Sequence, residues 1–230
     1  MTKGILFSQM IPKPTEVDRF NTWYNEDHIP ARMVLPHFVR ASRYASADDA
    51  TPDYLAVYEV DDLAAFQTPG YLELKRSPSA ETEIMLGRVS GFTRYISEEI
   101  GDSGPVGRET AFLSVVAFAV PSEDEEQFNT WYGTEHVPML LEADDWLRVR
   151  RYKVVDGVGG PWTHLALHEL ASAEVMNSPE RARARKGPLR DALVKRPWFA
   201  DSGRWFYRSL STQTAAAFAA SDAGTTTSHA

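Results

Sequence analysis

Apolar residues run almost without a break from Ile5 to Ile11 and stop at Pro12-Lys13-Pro14, the pattern of a short buried strand. Ala111 to Val120, closed by Pro121, repeats it. Each strand leads into a helical pattern: Thr15-x-x-Asp18 and Ser122-x-x-Glu125 have the spacing of a capping box, in which a hydroxyl and a carboxylate satisfy two orphan amide donors. Pro30 and Pro138 disfavour helical geometry in the residue before them, so each helix is expected to end near His28 or His136, with a short helical stretch restarting after the proline. Two strand-like runs follow in each part of the chain, Val39 to Ser46 with Tyr54 to Val60, and Arg148 to Val155 with His164 to Leu170. The turns between them hold Asp48-Asp49 and Thr51-Pro52, or Asp156-Gly157 and Gly159-Gly160-Pro161. Further helices are expected from Asp61 to about Arg76 and from Ala171 to about Lys186, then from Ser79 to Leu86 and from Leu189 to Lys195. Last strands run from Gly91 to Ile96 and from Arg204 to Leu210.

The element order is therefore βαββαβ, twice. The duplication is explicit: Phe-Asn-Thr-Trp-Tyr occurs at Phe20 to Tyr24 and at Phe128 to Tyr132, each followed by His-x-Pro, at an offset of 108 positions. The offset grows to 110 at Leu55 against Leu165 and to 112 at Tyr95 against Tyr207, as loops lengthen while elements persist. A βαββαβ unit is the ferredoxin-like arrangement, an antiparallel sheet with helices on one face and a bare apolar face on the other. Two tandem copies supply each other's cover, so the expected fold is α+β, two ferredoxin-like sheets packed face to face as an intramolecular dimeric barrel with helices outside. Residues 1–100 form the first unit, 101–108 a Gly/Pro-rich linker, 109–211 the second unit, and 212–230 an expected disordered tail.

With 230 residues, 43% of them hydrophobic, the chain is long enough for a real core. Its net charge of −8 argues against a phosphate-backbone binder, and the one basic run, Arg181 to Arg190, reads as a solvated helix face. The absence of cysteine excludes disulfides, thiolate nucleophiles and Cys-held metal clusters. Met1 leads straight into the strand pattern without a secretory leader, and no apolar stretch has the length of a membrane span, so a cytoplasmic location is expected. There is no Gly-x-Ser-x-Gly elbow, dinucleotide fingerprint or Walker loop.

Chemistry must therefore come from His, Tyr, acids or a bound cofactor. On a helix Phe20, Tyr24 and His28 share one stripe with Trp23 beside it, and Phe128, Tyr132, His136 and Trp131 repeat this. Such a stripe is also a core face, and a terminal His is also a helix cap. Retention of Trp, Tyr and His in both copies, amid divergence elsewhere, favours His28 and His136 as acid or base, assisted by Tyr24 and Tyr132. In the third strands Tyr58 matches His168, where the copies differ in chemistry. His164 and His168 lie too far apart along a strand to chelate one metal, and no metal site is expected. Glu59 and Glu169 are expected to be solvated or paired with strand arginines. Arg43 and Arg151 are candidates to grip a substrate carboxylate, with an Arg–Glu cross-strand pair as the alternative.

The repeated string with His28 and Pro30, and its copy ending in His136 and Pro138, resembles the signature of the dimeric α+β barrel superfamily, in particular its EthD-like branch. The resemblance covers about residues 4–98 and 109–211, as a tandem fusion of what is usually a homodimer. It implies a pocket between sheet and helices, with His28 and His136 as acid or base. The superfamily includes cofactor-free monooxygenases, cyclases, decarboxylases, isomerases and haem enzymes, so the fold leaves the reaction open. The leading expectation is cofactor-independent proton transfer on a small apolar, aromatic or polyketide-like molecule, with Trp23, Trp131, Tyr58, His168, Arg43 and Arg151 contacting it. The alternatives are a cofactor-free or haem-dependent monooxygenase and a non-catalytic module that sequesters an apolar ligand. No nucleic-acid or membrane partner is expected, and self-association of the whole chain is left open.

Overall fold

The computed structural model describes residues 1–48 and 53–218. Eight antiparallel strands, β1 Gly4–Ile11, β2 Phe38–Ser46, β3 Tyr54–Val60, β4 Ser90–Ser103, β5 Phe112–Phe118, β6 Trp146–Val158, β7 His164–Leu170 and β8 Ser202–Thr214, close into one barrel in the order β1-β3-β2-β8-β5-β7-β6-β4. The two sets of four do not merely face each other, as the sequence suggests. They are hydrogen-bonded along two seams, β2 with β8 and β4 with β6. The seams are long because β4 and β8 continue past their apolar stretches, so the stretch read as a linker from 101 to 108 begins as strand: Asp102 pairs with Arg150 and Ser103 with Val149. The stretch read as a disordered tail likewise begins as strand, β8 running to Thr214. Ala215 and Phe218 then pack on the first half, and the rest of that stretch lies outside the described residues, as do 49–52 of the first turn.

Alternation along the strands divides the apolar residues into three cores. Ile5, Phe7, Leu55, Val57, Leu113, Val115, Leu165 and Leu167 point inward and fill the barrel, with Tyr44, Tyr95, Tyr152 and Tyr207. The outward faces carry Leu6, Met10 and Tyr58 in the first half and Phe118, Val149 and Ala166 in the second, and the helices cover them. At one end of the interior the filling becomes ionic: Arg150, 3% exposed, reaches Glu59 on β3 at 2.8 Å and Glu169 on β7 at 2.9 Å. The strand arginine that pairs with both carboxylates is thus Arg150, one residue before Arg151, and its counterpart in the first half is Ser42.

The helix after β1 departs from the sequence reading. α1 Val17–Trp23 does not stop at His28 but passes through a π turn, Tyr24–His28, into α2 Pro30–Met33, and Ile29 N–H bonds the Tyr24 carbonyl five residues back. In the second half, helix Glu125–Trp131, numbered α5 after α3 Pro69–Arg76 and α4 Ala80–Leu86, enters the same turn at Tyr132–His136 and continues as α6 Val137–Leu140. Each proline sits in the first turn of the short helix, where its missing N–H costs little. Neither capping box forms: both helices open on a 3₁₀ turn without a side-chain cap, and Glu125 is drawn to Lys153 instead.

Candidate active site

The π turn sets the geometry of the repeated string. By joining residues five apart, it lays the imidazole against Trp as well as Tyr: His28 is 4.4 Å from Trp23 and 4.9 Å from Tyr24 between ring centroids, and His136 is 4.8 Å from Trp131 and 5.0 Å from Tyr132. The Asn of the string ties the helix to the sheet, since Arg43 donates to Asn21 and Asn25 and Arg151 to Asn129. Arg43 and Arg151 also stand over the Tyr24 and Tyr132 rings at 4.6 and 5.1 Å. Both arginines are occupied in this way by the chain's own side chains, and neither forms the cross-strand pair with Glu considered from the sequence.

The halves part at the far end of the helix. In the second half a cavity of about 60 Å³ opens between sheet and helices, with Tyr132, His136, His168 and Trp131 in its wall together with Trp146 and Phe199. In the first half the equivalent positions carry fused aromatic packing. Phe38 takes the place of Trp146 and Tyr58 that of His168, as the strand registers show. Tyr71 takes the place of Arg181: each donates its amide to the hydroxyl that caps its helix, Thr68 for α3 and Ser178 for α7 Pro179–Ala184. Tyr71 stacks on Phe38 at 5.8 Å and meets Phe66 edge-on, so these rings fill the space. His28, Tyr24, Trp23 and Tyr58 are all buried in that packing, and the Trp23 indole is spent on Thr82.

Partners with only one possible role locate the protons of the second site. Trp146 Nε1–H can only donate, and it points at His168 Nδ1 at 3.2 Å, so Nδ1 accepts. Burial, followed by the charges of His136, Arg204 and Arg181, holds His168 well below the usual imidazole range and hence neutral. Its one proton is then on Nε2, 2.9 Å from the Tyr132 hydroxyl oxygen, to which it donates. The phenolic proton of Tyr132 is thereby left for a group in the cavity. Burial raises the Tyr132 phenol, with Arg151 and Arg204 opposing, so it is protonated at neutral pH. The Ala184 carbonyl, which can only accept, lies 2.8 Å from His136 Nδ1. Nδ1 therefore carries the proton of His136, and Nε2 carries a lone pair. Burial, partly offset by the Ala184 bond and reinforced by Arg190, Arg204 and Arg181, pushes His136 down to about 4. A proton acceptor and a proton donor thus face one cavity. In the first half His28 Nδ1 and the Tyr58 hydroxyl are buried without a hydrogen-bond partner among the described residues.

Four arginines, Arg181, Arg185, Arg190 and Arg204, complete the cavity wall. The basic run read as a solvated face turns part of itself to the site. Its sequence signal was the replacement of Tyr71 by Arg181 at the 110-residue offset. Among the described residues no group of three His, Asp or Glu is placed to hold a metal, and no helix is long and apolar enough to cross a membrane.

No protein-family model matches the chain, and no curated protein sequence does. Among solved structures it is similar to an anthrone oxidase-like protein, 11% identical over 93% of each chain with a TM-score of 0.67. It is also similar to a protein assigned as a monooxygenase from Lactobacillus acidophilus, 11% identical over 94% of this chain and 97% of that one, TM-score 0.60. A mutant chlorite dismutase from Candidatus Nitrospira defluvii is 9% identical over 91% of each chain, TM-score 0.53. These neighbours are dimeric α+β barrel proteins. At such identities the likeness is one of fold.

Four buried or partly buried histidines, His28, His136, His164 and His168, are held below the usual imidazole range, in each case first by burial. The unfolded chain therefore binds more protons between about pH 6.5 and about pH 4, and stability is expected to fall with pH across that window. The fully enclosed pair, His28 and His168, each cost about 1.4 kcal/mol per pH unit there. Chemical denaturation at steps between those limits measures the slope; a flat profile above pH 5 would mean that the histidines are not held neutral.

Proposed function

We propose that the second-half cavity is the active site of a cofactor-independent enzyme that converts a small aromatic or polyketide-like carbonyl compound to its enolate. The observation that carries this reading is the pairing of the His136 Nε2 lone pair with the unused phenolic proton of Tyr132. Nε2 takes the proton from a carbon beside the carbonyl or, in an anthrone-type ketone, from the ring methylene conjugated with it through the aromatic rings; the electrons of that C–H bond move through the conjugated system to the carbonyl oxygen, and Tyr132 donates to the oxygen as charge grows on it. His168 Nε2–H supports the Tyr132 oxygen as it gives up its proton, and Trp146 keeps His168 in the tautomer that can do so. Trp131 lies in the wall, where the substrate ring can pack on it. The cavity has room for the reacting end of such a molecule, and the rest lies in the mouth. We read the chain as a tandem fusion of two ferredoxin-like units, EthD-like in its string, of which the second kept the site while the first filled it with Phe38, Tyr58, Phe66 and Tyr71.

Isomerisation, cyclisation, dehydration or decarboxylation can follow from an enolate. A second fate is favoured by the neighbours with oxidase-like and monooxygenase names: the enolate carbon of an anthrone-type ketone combines with dioxygen, and loss of water from the hydroperoxide leaves a quinone. Haem does not fit these residues. His136 Nε2 would be the ligand to its iron, but a cavity of about 60 Å³ walled by Trp131, Trp146 and Phe199 has no space for a porphyrin, and both nitrogens of His168 are engaged.

The test uses anthrone in D₂O. Enzyme-dependent exchange of its acidic C–H under nitrogen, followed by NMR, is the expected result. Oxygen uptake with quinone formation in air would assign the dioxygen fate. Saturable binding of anthrone and related aromatic ketones with neither exchange nor uptake would replace this reading with the ligand-sequestering one.

A further inference from the structure

Among the described residues, the arginines in the cavity wall have no ion-pair partner. Other arginines near them are paired, Arg183 with Glu142 and Arg196 with Asp124, yet among the described residues no carboxylate lies within ion-pair distance of Arg181, Arg185, Arg190 or Arg204. The contacts of the guanidinium groups themselves are neutral: Arg181 donates to the Met176 carbonyl at 2.6 Å, Arg204 to Ser202 at 3.1 Å, and Arg190 stands over the Phe199 ring at 5.4 Å, while the backbone amide of Arg190 donates to Glu135 at 3.2 Å. Arg181 and Arg190 are half-buried, and Arg185 and Arg204 are exposed at the mouth. Burial first, and then repulsion from Arg185, hold Arg181, Arg190 and Arg204 below the usual guanidinium range, with Asp191 opposing the shift of Arg190 and Tyr132 that of Arg204. Such crowding is unfavourable in the free protein.

Composition does not explain it, because acidic residues outnumber basic ones 32 to 24. The fold does not demand it either: at the corresponding offsets the first half carries Tyr71, Lys75, Ala80 and Phe92 and builds the same elements. Four unpaired guanidinia around an aromatic cavity match one kind of ligand, because a guanidinium grips a carboxylate through two parallel hydrogen bonds and an aromatic wall takes the ring that bears it.

We infer that the second-half cavity takes an aromatic carboxylate, its anionic group held by Arg181, Arg185, Arg190 and Arg204 at the mouth and its ring directed inward along Trp131 and Phe199. The inward end, facing His136 and Tyr132, rests on the acid–base reading above; the preference for an anion does not. Charge on the ligand offsets that of the arginines, so binding also brings His136 back toward its ordinary range and makes it a stronger base.

The test is calorimetric titration of the full chain with 2-naphthoate and with the neutral 2-naphthylmethanol. The carboxylate is expected to bind at least about tenfold tighter near 20 mM salt, with the advantage shrinking toward about 300 mM. The double variant Arg181→Gln/Arg204→Gln should lose most of the advantage and keep its affinity for the alcohol, while Arg181→Lys/Arg204→Lys should recover part of it. Equal affinities in the parent protein, or an undiminished advantage in a glutamine variant with native circular dichroism, would overturn the inference. His136→Ala serves as the separate arm. If it keeps the anion preference and the anthrone exchange assay is negative, the catalytic reading falls and the binding inference stands.

Discussion

His136→Ala is expected to lower the rate of enzyme-dependent exchange by about 10²–10⁴-fold, the range for loss of a positioned general base, whereas His28→Ala leaves it within about twofold. The two residues occupy the same place in the same string, so the contrast tests the site and not the motif. His136 has its Nδ1 proton fixed by the Ala184 carbonyl and its ring in the wall of a cavity. His28 is enclosed among Trp23, Tyr24 and Tyr58 with Nδ1 unpartnered. Because His136 sits at about 4, the base is available across the neutral range, and the rate should rise with pH through about 4 and then level off. Trp146→Phe is the companion variant. It keeps an aromatic ring but removes the donor to His168 Nδ1, so His168 can populate both tautomers, a change that ¹⁵N chemical shifts of the imidazole read directly. Loss of exchange in His28→Ala equal to that in His136→Ala would remove the claim that the second half holds the site.

Arg150→Ala is expected to destabilise the protein by about 3 kcal/mol or more, because Arg150 is buried and paired. Arg150 joins Glu59 of the first half to Glu169 of the second at one end of the barrel, and its removal takes from Glu59 its 2.8 Å ion-pair partner and leaves Glu169 with Arg148 at 4.0 Å. The whole ionic group is not expected to be worth that much, since desolvation offsets most of the attraction among its members. Arg150→Met with Glu59→Gln and Glu169→Gln should therefore recover most of the loss. Urea denaturation distinguishes the cases: the single variant shifts the midpoint without altering the slope, and the triple variant returns it toward the parent. A single variant as stable as the parent would mean that Arg150 contributes nothing to joining the halves.

The eight strands were legible because strand pattern is local, each run carrying its own apolar residues, with Pro12 and Pro121 closing the first strand of each half. The seams were not, because β4 and β8 continue through residues such as Asp102, Ser103, Thr212 and Gln213, whose polarity reads as linker or tail until a facing strand supplies the register. The π turn escaped for a similar reason: a proline after His signals a boundary, and only packing of the imidazole against Trp shows that the helix passes through it. The arginines of the 181–190 run escaped because a polar helix face looks the same in sequence whether it meets water or a cavity.

From the sequence alone come the duplication, the βαββαβ order and the short list of residues able to do chemistry, all properties of spacing along one chain. Which of two identical strings opens on a cavity was decided by tertiary structure. Proton positions on His136 and His168 depend on Ala184 and Trp146, 48 and 22 positions away, and the cavity exists because Arg181 stands where the first half has Tyr71. A histidine's use depends on what its two nitrogens touch, and those contacts form only when distant segments meet.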